Sequence, residues 1–364
     1  MKRTIFSWKE REIFYLNIKN LVLQLLTKII EKSLTIRDKN FVYLIRLYEY
    51  KYKSIKTNFL MNNKIINSHN IKIKCYKLSG YNKTFLTFIF SQNFFKNVNT
   101  MRRSKNCLDY WIPYLIQASN KENKNFSVHL DSSDNGNTDY LSMDSNNEDK
   151  LIPDLYSMQI NHRIDNNFSP LDFDQFKKIW LKKKSIVYWR GSTTGNSFTN
   201  IQELNKLKRI QICNRYKNIN GFDIKITRIV QNRINKNLIK EWLISENIYD
   251  QEIREDDFKT FKYYPDIPGN SLAWGTIHKY LLGNLIFKPD TKRKLFYYQF
   301  MHPWQDYIPV DHDFIDLDKK YEWVESNIEE ASFIAWNGYI KAHNYIKKIP
   351  EYFNSILVKN SKFE

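Results

Sequence analysis

Cysteine is scarce in this chain, and no residues stand at the spacing of metal ligands. Its three cysteines, Cys75, Cys107 and Cys213, are odd in number and widely separated. They argue against a disulfide-bonded secreted scaffold and favour a reducing compartment. The seven histidines do not pair at ligand spacing, and no Asp-x-Asp ends an obvious strand in the second half. We therefore expect no metal site.

A long apolar run is also absent. Charged side chains occupy residues 1–12 (MKRTIFSWKERE), where a signal peptide needs an apolar stretch, and the apolar stretch at residues 20–30 is too short to span a bilayer. We expect a cytoplasmic protein without a signal peptide or transmembrane segment. Residues 20–30 are predicted to form an amphipathic core helix, and a peripheral contact of this helix with the inner face of a membrane is the alternative.

Apolar, aromatic and basic residues are abundant. The chain has 364 residues, 42% of them apolar, with 24 Tyr, 24 Phe and 9 Trp, which is enough to build the cores of two domains. Lys and Arg number 57 against 39 Asp and Glu. The excess of positive charge is scattered along the chain, whereas specific nucleic-acid recognition needs it clustered on one module. No specific nucleic-acid partner is expected, and a polyanion-binding protein is the alternative function.

A short polar loop follows an apolar strand at residues 187–195 (VYWRGSTTG). Residues 184–189 have the composition of a buried strand, and residues 200–216 carry apolar side chains at helical spacing. Glycines let a backbone approach a ligand, and amides at a helix start, hydroxyls and a guanidinium attract anions. The pattern predicts a phosphate-binding loop, although such turns also join strands to helices without a ligand. Its candidate residues are Arg190, Gly191, Ser192, Thr193, Thr194 and Gly195.

Two further motifs follow in the second half. Residues 264–288 contain a glycine turn, then a helix, then an apolar strand, and residues 302–310 read HPWQDYIPV. The three motifs in this order resemble glycosyltransferase family 90 from about residue 151 to about residue 345. The resemblance implies an inverting enzyme, active without a metal or other cofactor, that transfers a sugar (glucose or xylose) from a UDP-sugar. The acceptor would be a hydroxyl of a glycan, of a lipopolysaccharide-like molecule or of a protein.

The predicted fold class is α/β. Strands and helices alternate in the second half, which indicates a parallel sheet with ligands bound beyond the carboxyl ends of its strands. Two Rossmann-like domains facing across a cleft form the GT-B arrangement, which the family resemblance also implies. We place a basic helical extension and the acceptor-side domain in residues 1–170, and the nucleotide-sugar domain in residues 171–345. For residues 346–364 we predict a C-terminal helix, and in a GT-B arrangement such a helix often crosses back to the first domain.

The resemblance also points to individual donor-binding residues. Arg209 stands where the family has an arginine on the helix after the first motif. The glycine turn supplies Gly269, Asn270, Ser271 and Trp274, and Lys279 follows on the next helix. For Trp274, core packing is the alternative. Many relatives have Asp where this chain has Pro268, so an inactive family member is a further alternative.

A general base is needed for inverting transfer, and it is normally an Asp or Glu. Protein O-glucosyltransferases place an Asp just after an Asn-x-Arg. This chain has Asn161-His-Arg-Ile-Asp165, in which the Asp comes one residue late. Asp165 is therefore our first candidate. Asp131 and Asp134, which follow the strand predicted at residues 126–130, are the alternatives.

Overall fold

The computed structural model describes residues 55–62, 68–77, 84–91, 93–122, 125–134, 136, 139–164 and 169–363. The helix predicted at residues 20–30 and the rest of the basic extension up to residue 54 lie outside these ranges. The chain forms two compact units. The first comprises residues 1–106, 119–127 and 363–364, and the second comprises residues 107–118 and 128–362.

The described part of the first unit contains a mixed sheet. Three of its strands lie wholly in this unit, namely β1 (Ile55–Asn62), β2 (Asn70–Lys77) and β3 (Thr84–Ser91). β1 is parallel to β3, whereas β2 is antiparallel to it. The Rossmann-like domain predicted for this half would instead have parallel strands. The connection from β2 to β3 is too short for the parallel crossover of a dozen or more residues, so these two strands pair as antiparallel neighbours.

Helix α1 (Val98–Glu122) and strand β4 (Phe126–Asp131) come next and contribute residues to both units. Beyond them the second unit contains the short strands β5 (Leu141–Ser142) and β6 (Asp144–Ser145), and helix α2 (Leu155–Asn161). The family resemblance predicts a strand at residues 151–160, and that prediction is wrong. The Asp154 carboxylate accepts hydrogen bonds from the Ser157 amide (3.0 Å) and hydroxyl (2.6 Å), which caps a helix at this point.

The rest of the second unit alternates helices and strands. The α-helices are α3 (Phe173–Trp180), α4 (Ile201–Asn205), α5 (Lys208–Tyr216), α6 (Lys236–Ser245), α7 (Thr276–Leu281), α8 (Leu317–Ser326), α9 (Ile328–Lys347) and α10 (Ile349–Asn360). The strands are β7 (Lys184–Ser192), β8 (Phe222–Arg228), β9 (Phe261–Pro265), β10 (Leu285–Pro289), β11 (Lys294–Leu295), β12 (Ile308–Val310) and β13 (Lys362–Phe363). Single 3-10 turns occur at Phe94–Lys96, Glu148–Lys150, Glu255–Thr260 and Phe296–Phe300.

Five of these strands form a parallel sheet in the order β12-β10-β9-β7-β8. This confirms the α/β class predicted for the second half. The chain leaves β7 for β8 on one side and returns to β9 on the other, so the strand order reverses between β7 and β9. Loops at such a switch point diverge from each other at the carboxyl edge of the sheet and leave a crevice there. The first motif follows β7, and the glycine turn follows β9.

Residues 141–161 lie in the second unit. β6 pairs with β11, and α2 packs against α7 and α9, so residues 141–161 belong with the second half. α10 in turn packs against α2, and the Lys150 ammonium donates to the Asn360 side chain (2.7 Å). Among the described helices, none combines the length and hydrophobicity needed to cross a lipid bilayer.

Candidate active site

Arg209 on α5 joins the two loops at the switch point. Its Nη1 donates to the Thr194 hydroxyl (2.6 Å) and to the Ser192 carbonyl (3.0 Å). Nε donates to the Pro268 carbonyl (3.0 Å), and Nη2 to the Ile267 carbonyl (3.1 Å). We call this set of contacts the Arg209 brace. Burial lowers the pKa of Arg209 to about 10, so the guanidinium remains charged at neutral pH.

Glycine at position 269 lets the two loops approach. A Cβ added there would lie 2.5 Å from Thr194 Oγ1, which is too close for a real side chain, and 3.0 Å from Arg209 Nη2, which is a crowded contact. Nearby, the Gly195 amide donates to Asn270 Oδ1 (3.0 Å). Gly195 has φ +148°, which favours glycine. Thus Thr194, Gly195, Gly269 and Asn270 from two motifs form one structure, as their proposed common role requires.

A cavity of about 540 Å³ opens beside this structure and is called the switch-point cavity. Residues 268–272 after β9, residues 290–293 after β10 and His312 after β12 line it. Lys292 and Arg293 supply positive charge on the wall. The volume falls in the range of small-molecule sites, and its position is where parallel α/β sheets bind ligands.

Buried Asp144 anchors one wall of the switch-point cavity. Its carboxylate is paired with Arg293 and accepts from the Leu272 amide (3.5 Å), while Arg293 Nη2 also donates to the Asp144 carbonyl (2.5 Å). Ser271 contributes a further side-chain hydrogen bond. Burial raises the pKa of Asp144, and Arg293 opposes that shift. Asp144 therefore holds three residues that line the cavity, Ser271, Leu272 and Arg293, in fixed positions.

The structure revises the interpretation of Arg190. Strand alternation places the Arg190 and Trp189 side chains on opposite faces of β7. The Arg209 guanidinium lies on the Trp189 face, 5.1 Å from the indole centroid. Arg190 stacks on the Tyr188 ring (4.2 Å) and pairs with Asp223 (2.8 Å) and Asp250 (2.6 Å). Its side chain is only 4% exposed. We therefore assign Arg190 a structural role and no longer a donor contact.

Other parts of the predicted phosphate loop are also structural. β7 continues to Ser192, and the first helix begins only at Ile201, so no helix-start amides lie within residues 190–195. A Cβ at Gly191 would meet the Trp189 ring at 2.3 Å, which explains this glycine by packing. The Thr193 hydroxyl is buried and exchanges hydrogen bonds with Val230, donating to its carbonyl (2.8 Å). Ser192 and Thr194 are the side chains of this loop that stay partly exposed beside the brace.

Two residues of the second motif lie in the core. Lys279 is 3% exposed, pairs with Glu255 and places its ammonium 4.1 Å from the Phe258 ring centroid. It does not line the switch-point cavity, so its predicted donor contact is revised. Trp274 is 9% exposed, which agrees with core packing, the alternative to a donor contact.

The candidate bases differ in accessibility. Asp131 is fully buried and accepts from the Ser133 amide (2.8 Å), which argues against contact with an acceptor. Asp134 is partly exposed. Asp165 lies outside the described residues. Within the part of the chain that the structure describes, no group of three or more His, Cys, Asp or Glu side chains is arranged to hold a metal ion.

Sequence reasoning missed the residues that follow β10 and β12. Asp290, Lys292, Arg293 and His312 line the switch-point cavity. The apolar run of β10 was recognised, and polar residues after a parallel strand are site candidates by topology. That rule would have found the group after β10. Asp144 lies in residues 131–150, whose many Asp, Ser, Asn and Gly residues are typical of a surface loop, so nothing local in its sequence indicates its burial.

Comparison with known proteins agrees with the three motifs. The family model described as "Glycosyl transferase family 90" matches residues 156–364. Protein O-glucosyltransferase 1 from Rattus norvegicus is 26% identical over 190 residues, which cover 50% of this chain and 43% of that protein. Protein O-glucosyltransferase 3 from Homo sapiens is 29% identical over 105 residues, which cover 28% of this chain and 21% of that protein. The chain therefore matches less than half the length of these relatives.

Among solved structures, the C-terminal domain of a glycosyl transferase group 1 family protein from Francisella tularensis has a TM-score of 0.31. It is 11% identical, and the match covers 49% of this chain and 99% of that domain. The family match extends over more than half of the chain and includes the loops that the Arg209 brace joins. On this evidence, the chain belongs to glycosyltransferase family 90.

Proposed function

We propose that this protein transfers a sugar from a UDP-sugar to an acceptor hydroxyl with inversion. Glucose is the favoured sugar because relatives are named protein O-glucosyltransferases, and xylose is the second choice. The observation that carries the proposal is the Arg209 brace, which joins two family motifs beside a cavity lined by Lys292 and Arg293 at the switch point. Because the family match omits most of the first half, the acceptor is proposed only as a hydroxyl of a glycan, a lipopolysaccharide-like molecule or a protein.

The donor diphosphate would occupy the switch-point cavity. Lys292 and Arg293 line it, together with the turn at residues 268–272. Positive side chains fixed by the fold stabilise the charge that develops on a departing diphosphate. Arg209 directs its hydrogen-bond donors to the two loops, so we assign it a positioning role together with Ser192 and Thr194, which it contacts. Asn270 and Ser271, which line the cavity, would contact the donor directly.

The reaction balances with one base. The acceptor oxygen forms a bond to the anomeric carbon, the bond from that carbon to the phosphate oxygen breaks, and UDP leaves with the electron pair. The acceptor proton passes to a carboxylate, for which Asp165 is our first candidate and Asp134 the second. We also propose that two Rossmann-like domains face each other across a cleft, as in the GT-B arrangement.

Calorimetry with UDP, ADP, GDP and CDP, without added metal, tests the proposal on the full chain. We expect micromolar, uracil-selective binding by the wild type. Arg209→Met should weaken it more than tenfold, because the loops lose their common anchor. Arg190→Met removes the same group from the opposite face of β7, and it should leave the Kd of the folded protein unchanged.

Other outcomes would contradict the proposal in different ways. Equal binding of every nucleotide and of heparin would favour the polyanion-binding alternative. The net charge of +18 is the observation that supports this alternative. UDP binding without turnover of UDP-glucose or UDP-xylose would favour the inactive-relative alternative. A folded wild type that binds no UDP would overturn the donor site.

A further inference from the structure

A second cavity, of about 410 Å³, lies next to the switch-point cavity and shares Asp290 with it. The end of β10, the 3-10 turn Phe296–Phe300 and the HPWQDYIPV motif form most of its wall. The proposed donor site uses none of the side chains of that motif. A ligand in the second cavity would therefore lie beside a donor without competing for its contacts.

The most buried charged group of the second cavity is the ammonium of Lys288. This residue is 4% exposed, and its Nζ lies 3.8 Å from the Tyr298 ring centroid and 5.1 Å from that of Tyr307. It donates to the Pro289 carbonyl at 3.3 Å. Among the residues with described positions, no carboxylate lies within salt-bridge distance of it. An ammonium has three donors, so Lys288 keeps hydrogen-bonding capacity toward the cavity that it lines.

Charge and surface character narrow the class of ligand. The cationic Lys288 and Lys294 are balanced by the anionic Glu148 and Asp290 around the same space. A balanced set favours neither an anionic nor a cationic ligand, and it offers donors and acceptors together. Leu151, Met301 and Pro303 add apolar wall. A neutral pyranose has the matching pattern, because its hydroxyls donate and accept while its ring faces are apolar.

We propose that the second cavity binds a neutral pyranose unit of the acceptor, with Lys288 donating to a hydroxyl and Glu148 accepting from one. This inference rests on the proposed transferase function and makes the acceptor a glycan rather than a bare protein hydroxyl. A buried carboxylate holds Tyr298 of this cavity in place. Asp266 accepts from the Thr276 hydroxyl of α7 (2.7 Å) and from the Tyr298 hydroxyl (3.3 Å).

Saturation-transfer NMR with methyl β-D-glucopyranoside and methyl β-D-galactopyranoside tests the inference on the full chain, with and without UDP. We expect millimolar binding of at least one glycoside that UDP does not displace. Lys288→Met should weaken it about tenfold or more, because a hydrogen bond from a charged group is lost. Glu148→Ala, on an exposed 3-10 turn, should weaken it several-fold without threatening the fold. Lys292→Met, in the switch-point cavity, is the matched control and should change UDP binding alone.

The two proposals fail separately. If neither glycoside binds while UDP does, or if the Lys288 and Glu148 variants bind as the wild type, the second site is wrong and the donor site stands. Displacement of the glycoside by UDP would also overturn the second site, because it would place the sugar in the switch-point cavity. Binding that depends on both residues in a protein without UDP affinity would support the second site and contradict the donor site.

Discussion

Arg190 and Arg209 contact β7 from opposite faces. Arg190 lies on the Tyr188 ring and pairs with Asp223 and Asp250. The guanidinium of Arg209 lies over the Trp189 ring and holds both switch-point loops. One strand therefore carries a structural ion pair on one face and the support of the candidate site on the other.

Arg190→Met should lower the free energy of unfolding by about 1–3 kcal/mol, because it removes the shared cation from two carboxylates. The lower end applies if solvent screens Asp250, whose side chain is 44% exposed. Urea unfolding of the single variant, of Asp250→Asn and of the double variant would measure the coupling energy. Unchanged stability together with lost UDP binding would instead restore the sequence-based role of Arg190 as a donor ligand.

Gly269→Ala should weaken UDP binding more than tenfold. The added methyl group would collide with Thr194 Oγ1 and Arg209 Nη2, so the turn after β9 must move away from the first loop. Gly275→Ala is the control within the same segment. Nothing lies within 4 Å of its added Cβ, and its φ of −71° suits alanine. We expect this control to bind UDP normally and to be neutral or stabilised by about 0.4–1 kcal/mol. Equal UDP affinity in both variants would refute close approach of the loops.

The stability of the protein should depend on Lys288 at alkaline pH. Burial lowers the pKa of Lys288 from 10.5 to about 8. Between these values the unfolded chain binds more protons than the folded one, so stability rises with pH. The free energy of unfolding of the wild type relative to Lys288→Met should therefore increase from pH 8 to pH 10.5, by at most about 1.4 kcal/mol per pH unit. Urea midpoints measured across this range, with Lys292→Met as an exposed comparison, would show it. A flat difference would contradict the shifted pKa.

Asp165→Ala should reduce kcat of sugar transfer by roughly 10²–10⁴-fold while leaving the Kd for UDP unchanged, because a general base acts on the acceptor and not on the donor. Asp134→Ala is the comparison, with little effect expected if Asp165 is the base. Initial rates with a glycan acceptor and UDP calorimetry measure the two quantities. If Asp134→Ala produces the loss and Asp165→Ala does not, the second candidate is the base.

The sequence was sufficient to predict much of the second half of the chain. Apolar runs predicted β7 and β10, because buried parallel strands need continuous apolar residues. The three motifs predicted the family. The prediction ended β7 at Trp189, three residues early. Extending the strand to Ser192 would have shown, by alternation alone, that the Arg190 side chain lies on the face opposite Trp189 and Gly191.

Long-range pairing could not be predicted in this way. The reversal of strand order at β7 depends on which neighbours each strand selects, and no local pattern encodes that choice. Asp144 is polar within a polar stretch, yet it is buried because Arg293 reaches it from 149 positions away in the chain. The helix break at residues 206–207 likewise lies within one continuous apolar pattern.

The Arg209 brace makes the site an indicator of complete folding. It holds two loops, whose residues Gly195 and Asn270 are 75 positions apart in the chain, and these loops meet only once β9 has joined β7. An intermediate with an unfinished sheet would have no binding-competent crevice. A nucleotide bound there would therefore stabilise the whole unit against unfolding. At one hundred times its Kd it would raise the free energy of unfolding by about 2.7 kcal/mol, and it would protect segments as distant as β8 from proteolysis.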